Sequence, residues 1–168
     1  MRETPEDISQ LEALLNQSIE RAGAFLRSSF EIPEHSLSAR QLIAYLQGVQ
    51  FVALATVTAN GEPRVAPIGA IFYRGQFYIP TVTEAARTKH VARRPAVSLT
   101  HFGGNGLAII VHGKAIIVRP DDPDFAAVEE IQRANRGASV RDWGDGVYLR
   151  VAADTFYTYV RDPATYPS

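Results

Sequence analysis

Five residues able to meet an anion, Arg87, Lys89, His90, Arg93 and Arg94, fall within eight positions of a chain whose charges otherwise balance. The hydroxyls of Thr81, Thr83 and Thr88 stand beside them. Backbone N–H groups at a helix start, hydroxyls and fixed positive charge together suit a phosphate group. The same run also suits a basic helix face turned to water. A second region, Arg64 to Phe72, reads as a strand on which Val65, Pro67, Gly69 and Ile71 share a face, and Pro67 cannot donate to a ladder. A ligand could approach its backbone closely; an edge strand or a bulge reads equally well. In a third region, Leu107, Ile109, Val111, Ala115 and Ile117 form one apolar face, with Gly113 among them. The other face carries Ala108, Ile110, His112, Lys114, Ile116 and Val118. That second face is too apolar for open water, so it is expected to bury against a second copy of the chain, with His112 and Lys114 near the rim.

Other chemistries find little support. The chain has no cysteine, which removes disulfides, thiolate metal sites and cysteine nucleophiles. Its histidines are His35, His90, His101 and His112, and no two have the i, i+4 spacing of a helical metal site, so no metal is expected. After Gly104-Asn105-Gly106 the third glycine of a dinucleotide fingerprint is replaced by Ile109, and no Walker loop or serine-hydrolase elbow occurs. A net charge of -1 and a pI near 6.4 argue against nucleic acid as partner. The acidic N-terminus has no signal-like apolar segment and no run approaches a membrane span, so a soluble, cytoplasmic protein is expected.

The elements that must position these residues follow from periodicity. Length allows one globular domain: 168 residues, 46% hydrophobic and 21% charged. Ile8, Leu11, Leu14, Leu15, Ile19, Ala22, Phe25 and Leu26 recur every three to four residues after Thr4-Pro5-Glu6-Asp7, predicting one amphipathic helix that ends before Pro33. Ser38 with Gln41 opens a second helix that Gly48 closes. Phe51–Thr58 and Arg64–Phe72 flank Asn60-Gly61 as a hairpin. Gln76–Thr81, Ala96–Phe102, Leu107–Val118, Val147–Val151 and Phe156–Arg161 are further strands. Glu84–Arg94 and a segment from Phe125 to Gly137 are helices, and Gly103–Gly106 reads as flexible. Mainly antiparallel strands with short connections favour a closed or nearly closed barrel. The expected parts are a helical extension over residues 1–47, a barrel over 48–162 and a polar tail over 163–168.

Three segments, FVALATVTANGEPRVAPIGAIFY (51–73), FYIPTVTEAARTKHVARRPAVSLT (77–100) and AIIVHGKAIIV (108–118), resemble the pyridoxamine 5'-phosphate oxidase-like split-barrel family in order and spacing. That family includes flavin- and deazaflavin-dependent oxidoreductases, and the resemblance covers about residues 38–160. It implies a split β-barrel of the FMN-binding type and a homodimer with non-covalent FMN, or a deazaflavin coenzyme, across the subunit interface. It implies Arg87 and Lys89, with Thr88 between them, at the phosphate and Thr81 close by. Val65, Ala66 and Pro67 would run along the flavin ring, and the partner would supply residues near Ala108 and Ile110. Hydride transfer with an unidentified small molecule is the implied activity; a split barrel that holds flavin or haem without turnover is the alternative. The chain departs from pyridoxamine phosphate oxidases proper, whose arginine and lysine in the second strand are here the uncharged run Val65–Ile71. It ends RDPATYPS without their arginine–histidine pair, so vitamin B6 oxidation is not implied.

Overall fold

The computed structural model describes residues 2–104 and 106–167. Met1, Ser168 of the tail, and Asn105 of the segment read as flexible lie outside the described residues. Six strands, β1 (Val49–Val57), β2 (Pro63–Tyr73), β3 (Gln76–Val82), β4 (Ala96–Gly103), β5 (Leu107–Val118) and β6 (Gly146–Val160), close in the order β1-β2-β3-β6-β5-β4. Every neighbouring pair is antiparallel. The β-branched and aromatic runs account for the strands, and Gly61 and Gly75 adopt the positive φ that their turns need.

The two C-terminal strands expected from the sequence are one strand of 15 residues, β6. The reason is a bulge: His112 pairs with Thr155 while Gly113 pairs with Ala153, leaving Asp154 as the extra residue. One extra residue exchanges the faces. Before it Val147, Leu149 and Val151 are buried in the barrel; after it Phe156, Thr158 and Val160 are. That change of parity made Ala152–Thr155 read as a break. Gly113 is required opposite the bulge, because a Cβ there would run into the Ala152 carbonyl oxygen.

Five α-helices surround the barrel: α1 (Pro5–Arg21), α2 (Ala24–Phe30), α3 (Ala39–Tyr45), α4 (Ala86–Arg93) and α5 (Phe125–Arg136). The single N-terminal helix expected from periodicity is broken at Ala22-Gly23, where the backbone turns extended. Phe25, assigned to its apolar stripe, is consequently exposed. Glycine costs about 1 kcal/mol in a helix interior and the apolar spacing did not outweigh it. Leu11 and Leu15 of α1 and Leu42, Ile43 and Leu46 of α3 belong to the same apolar cluster as the barrel interior. Ser18 of α1 accepts a hydrogen bond from the Phe156 N–H, just past the bulge, at 2.9 Å.

A second apolar cluster lies outside the barrel wall, where α5 (Phe125, Val128, Ile131) covers Ile71, Tyr78, Val118 and Tyr148. Val118, placed by alternation on the β5 face expected to bury against a second copy, is instead covered by α5 of its own chain. The Glu129 carboxylate, buried on α5, accepts from the Tyr148 hydroxyl at 2.7 Å and pairs with Arg133 at 3.2 Å. No helix among the described residues is long and apolar enough to cross a membrane.

Candidate cofactor site

β2 is paired with β1 from Pro63 to Ile71 but with β3 only over Ile71–Tyr73. Below that point β2 and β3 diverge, and β3 continues to Val82 against β6. Alternate backbone groups of β2 therefore face a slot instead of a strand, as binding at a sheet edge requires. Pro67, which has no N–H to leave unpaired, sits in the middle of this stretch.

The chain leaves β3 through Thr83–Ala85 and enters α4, which brings Arg87 back to the slot. Its Nη1 donates to Thr81 Oγ1 at 3.2 Å. On one side of Arg87 lies a cavity of about 520 Å³ lined by Ile68, Gly69, Pro80, Thr81 and Val82, with Gln132, Arg136 and Trp143 at its far wall. On the other lies a cavity of about 300 Å³, lined by Leu54, Thr56, Arg64, Val65, Ala66 and His90. Arg87 borders both. Ala85, the residue capping α4, offers no side-chain hydrogen bond, so the first N–H groups of the helix have no cap beside this guanidinium. Among the described residues Arg87 takes part in no ion pair.

The basic run is divided by its helix. Lys89 points away from the slot and pairs with Glu84 at 2.8 Å on an exposed face, which holds the Glu84 carboxyl below its usual range. Arg94 donates through Nε and Nη2 to the Ala59 carbonyl of the β1–β2 turn. His90 Nδ1 lies 2.9 Å from Thr56 Oγ1. Thr88 is buried and its hydroxyl donates to the Val82 carbonyl at 2.8 Å, tying α4 to the end of β3. Of the residues singled out from the sequence, Val65, Ala66, Thr81 and Arg87 thus meet around the slot, with Pro67 between Ala66 and Ile68. Lys89 does not meet them. Ala108 and Ile110, on β5, pair with Phe102 and Thr100 of β4, and β5 lies three strands from β2, about 14 Å along the wall at the usual strand spacing. Within one chain they are not part of the site.

Three residues of the far wall escaped sequence reasoning. Gln132 and Arg136 share a face of α5 with Glu129, at i+3 and i+7, and Trp143 ends the 3₁₀ turn Val140–Trp143. Their only sequence signal was polar residues on the inner stripe of an otherwise amphipathic helix. The remaining histidines are engaged elsewhere: His101 lies between Tyr45 Oη (2.8 Å) and the Phe51 carbonyl (2.7 Å), His112 Nδ1 is 2.7 Å from Ser98 Oγ, and His35 Nδ1 is 2.9 Å from the Val160 carbonyl. Among the described residues no group of His, Asp and Glu is placed to hold a metal ion.

Comparison with known proteins bears on this architecture. No curated protein matches the sequence. Among solved structures, the conserved hypothetical protein Rv2991 from Mycobacterium tuberculosis superposes with a TM-score of 0.62 at 17% identity, over 80% of this chain and 92% of that one. An F420 reductase superposes at 0.54 with 21% identity, over 66% and 91%. The haem storage protein HutZ from Vibrio cholerae does so at 0.59 with 16% identity, over 72% and 92%. At these identities the likeness is one of fold. The family model of pyridoxamine 5'-phosphate oxidase matches residues 39–159, from the start of α3 to the last pairs of β6, so the closed antiparallel barrel with its β2–β3 slot belongs to the pyridoxamine 5'-phosphate oxidase family.

Proposed function

We propose that this protein is a flavin-dependent oxidoreductase that binds FMN without a covalent link in the slot between β2 and β3, at the interface of a homodimer. The observation that carries this reading is Arg87: a guanidinium without a counter-ion, beside the uncapped start of α4, bordering two cavities on either side of a strand edge. In this reading Arg87, Thr81 and the first amides of α4 hold the phosphate, with Arg64 and His90 nearby on the smaller cavity. Lys89, across the helix, adds only to the local positive field, and Thr88 fixes the turn. The ring's site is the cavity of about 520 Å³, within the range of small-molecule pockets, with Ile68 and Gly69 as its β2 edge; Val65 and Ala66, expected beside the ring, line the smaller cavity, and Pro67 lies between the two pairs. When bound, the flavin supplies hydride transfer; the chain supplies binding, orientation and exclusion of water.

The dimer accounts for an apolar outer face. Phe51, Val65 and Phe102 are each more than 60% exposed on neighbouring strands β1, β2 and β4, and Ile110 lies beside them on β5. A second copy on this face would cover it and bring its own Ala108 and Ile110 toward the slot.

The test is a titration of the purified apoprotein with FMN, with the deazaflavin coenzyme and with haem, the latter two because structural neighbours bear the names F420 reductase and haem storage protein. Tight FMN binding, reduction by a nicotinamide donor and reoxidation by an acceptor are expected. Binding of haem alone would replace the enzyme reading with that of a carrier.

A further inference from the structure

We infer that the far wall of the larger cavity, formed by Gln132, Arg136 and Trp143, is a subsite for a second ligand, a planar aromatic or conjugated carboxylate. It rests on the proposed function in taking that ligand to be the substrate of the bound flavin; the subsite itself follows from the residues.

Gln132, 1% exposed, lines the cavity, and its buried Oε1 has no hydrogen-bond partner among the described residues. A buried acceptor without a partner is unfavourable, and such groups are rare in folded proteins unless something bound satisfies them. Arg136 lies one turn further along the same helix face. Its guanidinium stacks 5.1 Å from the centroid of the Phe51 ring, and its Nη2 lies 3.1 Å from where a Cβ on Gly69 would stand. Among the described residues it makes no ion pair. Phe51 and the bare backbone at Gly69 thus hold a positive charge at the cavity with no anion beside it. Trp143 offers a half-exposed indole to the same space, and Val49, Ile68, Val82 and Ala138 make most of the remaining lining apolar. An apolar slot with an indole on one wall selects a flat ligand, a lone guanidinium selects a carboxylate, and the Gln132 oxygen selects a donor on its edge. Arg87 is held by Thr81 and Arg136 by Gly69 and Phe51, so the cavity has a second arginine for a different anion from the cofactor's phosphate.

Trp143 is the only tryptophan of the chain, so its emission reports the cavity directly. The probes are 2-naphthoate and, as its uncharged counterpart, 2-naphthylmethanol, titrated into apoprotein and FMN-treated protein. Expected are quenching of Trp143 by 2-naphthoate, at least a tenfold loss of its affinity in Arg136→Met, a several-fold loss in Gln132→Met, and a change of less than twofold for 2-naphthylmethanol in Arg136→Met. Thermal melts of both variants verify folding, and Gly69→Ala, which crowds the guanidinium from the strand side, gives a second route to the same loss. Equal affinity for the two probes, or naphthoate binding indifferent to both Arg136→Met and Gly69→Ala, overturns the subsite. Displacement of bound FMN by naphthoate also overturns it, assigning the wall to the cofactor. If FMN fails to bind while naphthoate shows the expected dependence, the flavin reading falls and the carboxylate subsite stands.

Discussion

Replacing Arg87 with alanine separates what this residue does for the fold from what it does for a ligand. Among the described residues its guanidinium makes one hydrogen bond, to Thr81 Oγ1 at 3.2 Å, so the loss of stability is expected to be about 0.5–1.5 kcal/mol. A guanidinium hydrogen bond to phosphate is charge-assisted, and its loss costs about 1.5–3 kcal/mol of binding, roughly a ten- to hundredfold rise in Kd. Lys89→Ala is the control from the same helix. Its ammonium already sits on Glu84 at an exposed position, where solvent screens ion pairs, and it lines neither slot cavity. Its effect on FMN affinity is expected to stay within about threefold. Quenching of FMN fluorescence at fixed ionic strength gives the affinities, and urea midpoints give the stabilities. Equal FMN affinity in Arg87→Ala and wild type, or a larger loss in Lys89→Ala than in Arg87→Ala, would refute the phosphate site.

Gly113→Ala drives a methyl group into the Ala152 carbonyl at the bulge and should cost about 1–3 kcal/mol in urea denaturation, with FMN affinity unchanged in the folded fraction. Tyr148→Phe removes a buried hydrogen bond to a carboxylate and should cost about 1.5–3 kcal/mol at pH 7. Burial pushes the Glu129 carboxyl up, but hydrogen bonds from Ser139, Tyr148 and Arg133 outweigh it and hold the group below its ordinary value. Its contribution to stability is therefore complete above the unfolded value of about 4.3 and disappears as pH falls through the folded one. Loss of the Tyr148 donor raises the folded value, so the fall in urea midpoint between pH 6 and acid should be shallower in Tyr148→Phe than in wild type. Phe102→Asp sets a charge on the exposed outer face; on the proposed dimer, sedimentation should show a monomer where wild type shows a dimer, and because Ala108 and Ile110 would reach a slot only from a second copy, FMN affinity should fall with it.

The strands and α4 were legible because their signals are local: alternation in β1 and β2, Asn60-Gly61 at the hairpin, Pro95 ending the helix. Where the signal depended on a partner, it misled. The bulge at Asp154 is a relation between β5 and β6, and from β6 alone the change of inward parity looks like a gap between two strands. Val118 alternates like an outer residue of β5, and only the later helix α5 makes it core. In the same way five basic residues in eight look like one patch, whereas helix geometry turns Lys89 and Arg94 to other contacts and leaves Arg87 at the slot. Gln132, Arg136 and Trp143 were not legible, since nothing local tells that the connection between β5 and β6 returns to β2.

The position of the slot follows from how β2 is shared. It pairs with β1 from Pro63 to Ile71, but it gives β3 only three residue pairs, and β3 then continues against β6. A strand that separates from its neighbour exposes backbone groups, and buried backbone groups without partners are unfavourable. Two features of this chain meet that cost: Pro67 removes one donor from the stretch, and Arg87 with Thr81 brings polar side chains back across the gap. The divergence also divides the outer wall. On the β3–β6 side α5 covers the surface and builds the second core; on the β1–β4 side Phe51, Val65 and Phe102 stay exposed. A slot with its edge on an exposed apolar wall would join ligand binding to self-association in the proposed dimer, because the surface that would seat a second copy also borders the open strand. Loss of the dimer and loss of the ligand should therefore accompany each other in Phe102→Asp and separate in Arg87→Ala, which lies within the slot and leaves the wall intact.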